Sequence, residues 1–188
     1  MDPGEYSREE RVWLLRVAHD SILTAFHQRK FVIEPLTEHL AEPRGAFTSL
    51  HLRGQLRGCV GYVFPVTPLY RTVAETARSA AFDDSRFEPI SAAEGPLLEI
   101  EISVLSLLRP IVPDEVEIGR HGLLITKGNR RGLLLPQVPV EHEWDRVMFL
   151  EQTCHKAGLA ADAWQHGAKL ESFTAEVFRD RDYLNARP

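Results

Sequence analysis

The chain has 188 residues, 44% hydrophobic and 26% charged, with a net charge of 22 − 27 = −5. That composition argues against wholesale disorder, and the acidic balance argues against a general nucleic-acid binder, which carries a basic surplus. The longest apolar runs, Gly132 to Leu135 and Leu98 to Leu108, are too short or too interrupted by Glu to span a bilayer.

Met1 to Glu10 is acidic and polar, unlike a secretory signal. Ser7-Arg8-Glu9-Glu10 reads as a capping box, and Leu15, Ala18, Ile22, Ala25 and Phe26 recur at helical spacing. This predicts a helix from about Arg8 to about Arg29. Pro35 and Pro43 punctuate the connector that follows. From Ala46 the period becomes two, and Gly54-Gln55 is expected to turn a hairpin whose return strand is Leu56 to Val63. Thr67-Pro68 starts a helix, with Pro68 at its first position, and Leu69, Val73, Ala77 and Ala80 carry it to about Phe82.

Leu98, Ile100, Ile102 and Val104 alternate with Glu99, Glu101 and Ser103, the pattern of a strand with one buried face. Gly122–Thr126 and Gly132–Leu135 read as short strands around the turn Lys127 to Arg131. Val147, Leu150, Cys154 and Ala157 form a helical stripe stopped by Gly158. One strand through Glu171, Phe173, Ala175 and Val177 closes the pattern, and the charged tail from Arg179 to Pro188 is expected to fray. Hairpin followed by helix recurs around 46–82 and 122–157. Strands that arrive as hairpins favour α+β with antiparallel sheets over a doubly wound parallel fold.

The segment Leu56-Arg57-Gly58-Cys59-Val60-Gly61 draws the most chemical interest. Strict alternation puts Arg57, Cys59 and Gly61 on one face, and Leu56, Gly58, Val60 and Tyr62 on the other. Gly58 and Gly61 are poor strand formers that leave room for another backbone or a ligand. A guanidinium near a thiol can favour the nucleophilic thiolate. The competing reading makes Cys59 a small core residue and pairs Arg57 with a surface carboxylate.

That hexapeptide resembles the signature of the AMMECR domain family, which normally has isoleucine at the place of Val60. Further segments match in family order: Asp84 to Pro89, Gly119 to Leu123, Leu134 to Val138, and Cys154 to Leu159 with Trp164 beyond. Pro139 departs from the usual alanine, just before Glu141. The resemblance implies one AMMECR-type α+β domain over residues 1–188, in two lobes whose hairpin-built sheets pack against helices, with a smaller lobe over about 46–107. It further implies a cleft lined by Leu56 to Gly61. Its relatives' association with MEMO-like and radical SAM proteins suggests a task on a small molecule or a modified residue.

On that reading Cys59 is a nucleophile or redox thiol, Arg57 its electrostatic partner or substrate anchor, and Gly58 and Gly61 line the binding site. His121 is a proton carrier, or else a surface histidine capping a turn. Glu141 is a base or supports a helix N-terminus, and Arg86 binds an anion or pairs with Asp84 or Glu88. Cys154 lies on an apolar stripe and reads as core. Metal-ligand spacings, a Walker loop and a dinucleotide fingerprint are all missing from the sequence, so no metal and no other cofactor is expected. Lys127, Arg130 and Arg131 read as a solvated hairpin tip. Two cysteines imply no disulfide framework, which makes a reducing cytoplasm the expected compartment. An enzyme or enzyme component acting on a small molecule is one functional reading. The other is a non-catalytic interaction module that receives a peptide or protein partner on the same strand.

Overall fold

Helix α1 (Arg8–Phe26) starts at the capping box that the sequence places there. In the computed structural model, which describes residues 4–27 and 31–183, the Glu10 N–H donates to Ser7 Oγ at 3.2 Å. The Ser7 N–H donates in return to Glu10 Oε2 at 2.9 Å, so two donors at the helix entry are satisfied reciprocally. The stretch up to Arg29 that the sequence also assigns to this helix includes residues outside the described ones. Leu14, Leu15, Ala18 and Ile22 bury the inner face of α1.

The chain divides into two units, Met1–Leu105 with Glu176–Pro188, and Ser106–Ala175. In the first, β1 (Ala46–Leu52) pairs antiparallel with β2 (Gln55–Tyr62) and with β3 (Glu99–Leu105). Strand β8 (Ala175–Arg179) borders β3, giving the order β2-β1-β3-β8. The hairpin loop is Arg53-Gly54 rather than Gly54-Gln55, because both loop residues take positive φ (54° and 77°) and Gln55 already pairs with Leu52. Two positive-φ residues match the twist of the flanking strands.

Helix α2 (Leu69–Phe82) starts one residue later than expected, with Pro68 as its N-cap. It lays Val73, Ala77 and Ala80 into the core formed with Leu50, Ile100 and Ile102. The Thr48 and Thr76 hydroxyls meet at 2.8 Å inside this layer, so neither polar group is buried alone.

The second unit has its own sheet, ordered β4-β7-β5-β6, from β4 (Arg109–Pro110), β5 (Gly122–Lys127), β6 (Arg130–Leu134) and β7 (Lys169–Phe173). Short α3 (Gln137–Glu141) precedes α4 (Arg146–Lys156), which Asp145 caps by accepting from the Met148 N–H at 2.8 Å. Leu123, Ile125, Phe149, Leu150, Cys154 and Leu170 form this unit's core. Gly158, at φ 67°, stops α4 as the sequence suggests. The single closing strand read from the sequence is in fact two. Thr174 separates β7 from β8, and the two belong to different sheets. The chain then turns into α5 (Asp180–Tyr183), while residues 184–188 of the expected frayed tail lie outside the described residues.

The fold class is α+β with antiparallel sheets. Among the described residues no helix is long and apolar enough to cross a membrane.

Helix α2 approaches β2 so closely that a Cβ built at Gly58 would sit 2.1 Å from the Ala80 carbonyl oxygen. Gly58→Ala is therefore expected to lower the unfolding free energy by about 1–3 kcal/mol through overpacking, read from urea midpoints. A change within about 0.5 kcal/mol, the range of an ordinary surface substitution, would contradict that packing.

Candidate functional site

Strand β2 is an edge of the first sheet, and its register with β1 is not uniform. Leu50 opposes Gly58 while His51 opposes Leu56, so Arg57 is the extra residue of a β-bulge. Beyond the bulge, Cys59 faces Ser49 and Gly61 faces Phe47, whereas Gly58 and Val60 share the α2 side with Leu50 and Thr48. Before it the phase flips. Leu56 joins the Cys59 face instead of the Gly58 face, and Arg57 is freed from the alternation.

A freed Arg57 turns to the segment between α2 and β3. Its Nε donates to Glu94 Oε1 at 3.0 Å, and its Nη1 and Nη2 donate to the carbonyl oxygens of Glu88 and Pro89. The reading that pairs Arg57 with a carboxylate thus has its partner in Glu94, whose carboxyl is lowered to about 2. The Ser91 N–H and hydroxyl are the largest cause, followed by the donation from Arg57.

The arginine that reaches Cys59 is Arg86. Its Nη2 donates to the Cys59 carbonyl oxygen at 3.0 Å, and the Cys59 N–H donates to Asp84 Oδ2 at 2.9 Å. Arg86 also grips Asp84 by a fork, Nε to Oδ1 at 2.9 Å and Nη2 to Oδ2 at 2.7 Å. The Arg86 guanidinium is the main reason that the Asp84 carboxyl lies well below the usual carboxylate range. The Cys59 and Arg86 N–H groups add to it. Both main-chain groups of Cys59 that face away from β1 are therefore satisfied by side chains, as a further strand would satisfy them.

On the face opposite α2, the Cys59 thiol is half-buried and accepts from Ser49 Oγ at 3.2 Å. Ser49 is opposite Glu101 on β3, and Glu101 is bonded to Arg179 Nε. Thiol, hydroxyl, carboxylate and guanidinium thus form a row across four strands. Each glycine beside the thiol has a packing cause. Gly58 admits Ala80, and a Cβ at Gly61 would meet the Phe47 ring at 2.1 Å.

The comparisons with known proteins agree over nearly this whole chain. The AMMECR1 family profile matches residues 15–178. The chain belongs to the AMMECR1 family. It is 40% identical over 186 residues to Protein MK0488 of Methanopyrus kandleri, covering 93% of this chain and 90% of that one. Protein MJ0810 of Methanocaldococcus jannaschii is 40% identical over 182 residues, covering 92% and 90%. The crystal structure of the uncharacterised protein PH0010 from Pyrococcus horikoshii superposes with a TM-score of 0.79 at 38% identity, covering 91% of each chain. None of these AMMECR1 relatives carries an activity in its name.

Other residues that the AMMECR signature singles out belong to the second unit. His121 Nδ1 accepts from the Glu117 N–H at 3.1 Å while the His121 N–H donates to the Glu117 carbonyl, so the ring closes a turn. Glu141 is the last residue of α3, exposed, and the N-cap of α4 is Asp145 instead. Pro139, where the AMMECR pattern usually has alanine, sits in the first turn of α3, where a missing N–H costs nothing. Cys154 is fully buried, and burial pushes its thiol up. Among the described residues no three His, Cys, Asp or Glu side chains are grouped to hold a metal.

Sequence reasoning passed over Ser49 and Glu94, and named Asp84 only as a partner of Arg86, a pairing that the structure contains, and not as a contact of Cys59. Ser49 was legible from the hairpin register; the two carboxylates sit in loops whose approach to β2 no periodicity announces.

The Glu94 carboxyl is depressed in the folded state, so it contributes stability above pH about 4.5 that is lost as the pH falls through about 2. The stability difference between wild type and Glu94→Gln is expected to shrink over that window in denaturant titrations. A difference independent of pH would contradict the assigned contacts.

Proposed function

We propose that this AMMECR1 chain works as one functional domain, as an enzyme or enzyme component acting on a small molecule through the Cys59 face of its first sheet. The observation that carries the reading is the Ser49 hydroxyl donating to the Cys59 sulfur at 3.2 Å while Asp84 and Arg86 hold the same residue's main chain. A hydroxyl that donates to sulfur fixes the direction in which the sulfur points, and a clamped backbone keeps it in place. Cys59 is the reacting group of this proposal, Ser49 its hydrogen-bond donor, and Arg86 and Asp84 its positioning residues. If the chain is a component, MEMO-like and radical SAM proteins are the partners that its family resemblance implies.

The rival reading, a module that receives a partner strand on β2, fits the geometry less well. At Cys59 the main-chain groups that a docking strand needs are already taken by Asp84 and Arg86. Displacing them would leave a buried carboxylate short of donors, since the Asp84 side chain is only 6% exposed.

Alkylation by iodoacetamide near neutral pH tests the thiol directly. Cys59 is expected to react much faster than buried Cys154. Ser49→Ala is expected to slow Cys59 labelling roughly two- to tenfold, the worth of one hydrogen bond, without changing the rate at Cys154. Equally slow labelling of both cysteines in the folded protein would sink the proposal.

A further inference from the structure

A second feature of the first unit lies at the far end of the row that starts at the thiol, where Glu101 and Arg179 border open space. Where the end of β1, the start of β3 and the turn from β8 into α5 meet, they border an open cavity of about 190 Å³. His51, Glu99, Glu101, Arg179, Asp180 and Arg181 line it, with Gly54 and Ile100. Six of eight lining residues carry a titratable side chain, so the space is built for charge rather than for an apolar body.

The bookkeeping of those charges is incomplete. Elsewhere in the unit, charged side chains close on one another: Arg11 on Glu176, Arg44 on Glu5 and Glu42, Arg57 on Glu94, Arg86 on Asp84. In the cavity Glu101 and Arg179 close on each other, and Asp180 closes on His19 behind it. Asp180 uses one oxygen twice, accepting from the Ile100 N–H at 2.7 Å and facing His19 Nε2 at 2.8 Å. Among the described residues its other oxygen is buried without a donor. The Glu99 carboxylate and the His51 imidazole stand directly across from each other in the β1–β3 register. Neither side chain has a hydrogen-bond or ion-pair partner among the described residues. Among the described residues Arg181 has only Asp182, at 4.0 Å. Glu99 and Arg181 therefore line one cavity with opposite charges and no ion pair between them.

We infer that this cavity binds a small zwitterion, an amino acid or short amino carboxylate. Its ammonium group is held by Glu99, and its carboxylate by Arg181 with His51 beside it. A ligand bearing both charges supplies each wall with the counter-charge it lacks, whereas a singly charged ligand leaves one wall uncompensated. The size agrees. At about 30 Å³ per water the cavity has room for roughly six, the scale of a small amino acid and below the ~300 Å³ at which drug-sized sites begin. Among the described residues no three His, Cys, Asp or Glu side chains are grouped for a metal ion. This inference does not rest on the reactivity of the thiol, although Glu101 and Arg179 belong both to the cavity and to the row that starts at Cys59.

The test is a titration of the full-length protein with glycine, β-alanine and γ-aminobutyrate, against acetate and ethylammonium as single-charge controls. Binding is followed by the backbone amide shifts of Gly54 and Ile100. At least one zwitterion is expected to bind about tenfold or more tightly than either control. Glu99→Gln and Arg181→Gln are each expected to weaken it about tenfold, the loss of one charge-assisted contact. Both side chains are exposed, and Glu117→Gln, on the surface of the second unit, serves as a control that should change nothing. Controls that bind as well as the zwitterions, no shifts at millimolar ligand, or variants that bind like wild type would each overturn the inference.

Discussion

One carboxylate holds the edge on which the candidate site depends. Asp84 accepts from the Cys59 N–H and from the Nε, Nη2 and main-chain N–H of Arg86, and Arg86 in turn caps the Cys59 carbonyl. An edge strand presents unpaired main-chain groups that must be covered or left to water. Here a loop's side chains cover them at the one cysteine of the strand. Taking a carboxylate to 6% exposure is costly, and the arginine fork with two N–H donors offsets that cost. Removing Arg86 would leave Asp84 without its main partner, a loss on the order of 1–3 kcal/mol because Arg86 itself is largely exposed and water can replace part of its contact.

With the edge fixed, the composition of the Leu56–Gly61 segment follows from packing on both sides. Gly58 is small because the Ala80 carbonyl lies against it, and Gly61 because the Phe47 ring covers it. Val60 packs against the core of the first unit. The bulge gives Arg57 to Glu94 and the neighbouring carbonyls. What this packing leaves for chemistry is Cys59, with Ser49 beside it.

Much of the fold was legible from the chain alone, because burial imposes its period on sequence. The Ser7–Glu10 box marked the start of α1, the alternation from Leu98 to Val104 marked β3, and Gly158 marked the end of α4. Failures came where local geometry breaks the period. A bulge at Arg57 shifts the phase of β2, so strict alternation put Arg57 beside Cys59 and Leu56 beside Gly58. Thr174 breaks what read as one strand, because Leu170, Ser172 and Phe173 are buried on one side of it and Phe178 on the other, with no single alternation joining them. The site was half legible for the same reason. A motif on a strand announces itself, while Asp84 and Glu94 act from loops, through contacts far apart in sequence.

The central claim, that Asp84 clamps the main chain of Cys59, is tested most directly by hydrogen exchange at the Cys59 amide. In the wild type this N–H is expected to exchange slowly, although it points away from the partner strand. Asp84→Ala should speed its exchange by about tenfold or more, the worth of a charge-assisted hydrogen bond, while the Ile102 amide in the buried strand β3 keeps its protection. A Cys59 amide that exchanges fast in the wild type, or equally slowly in both proteins, would contradict the account.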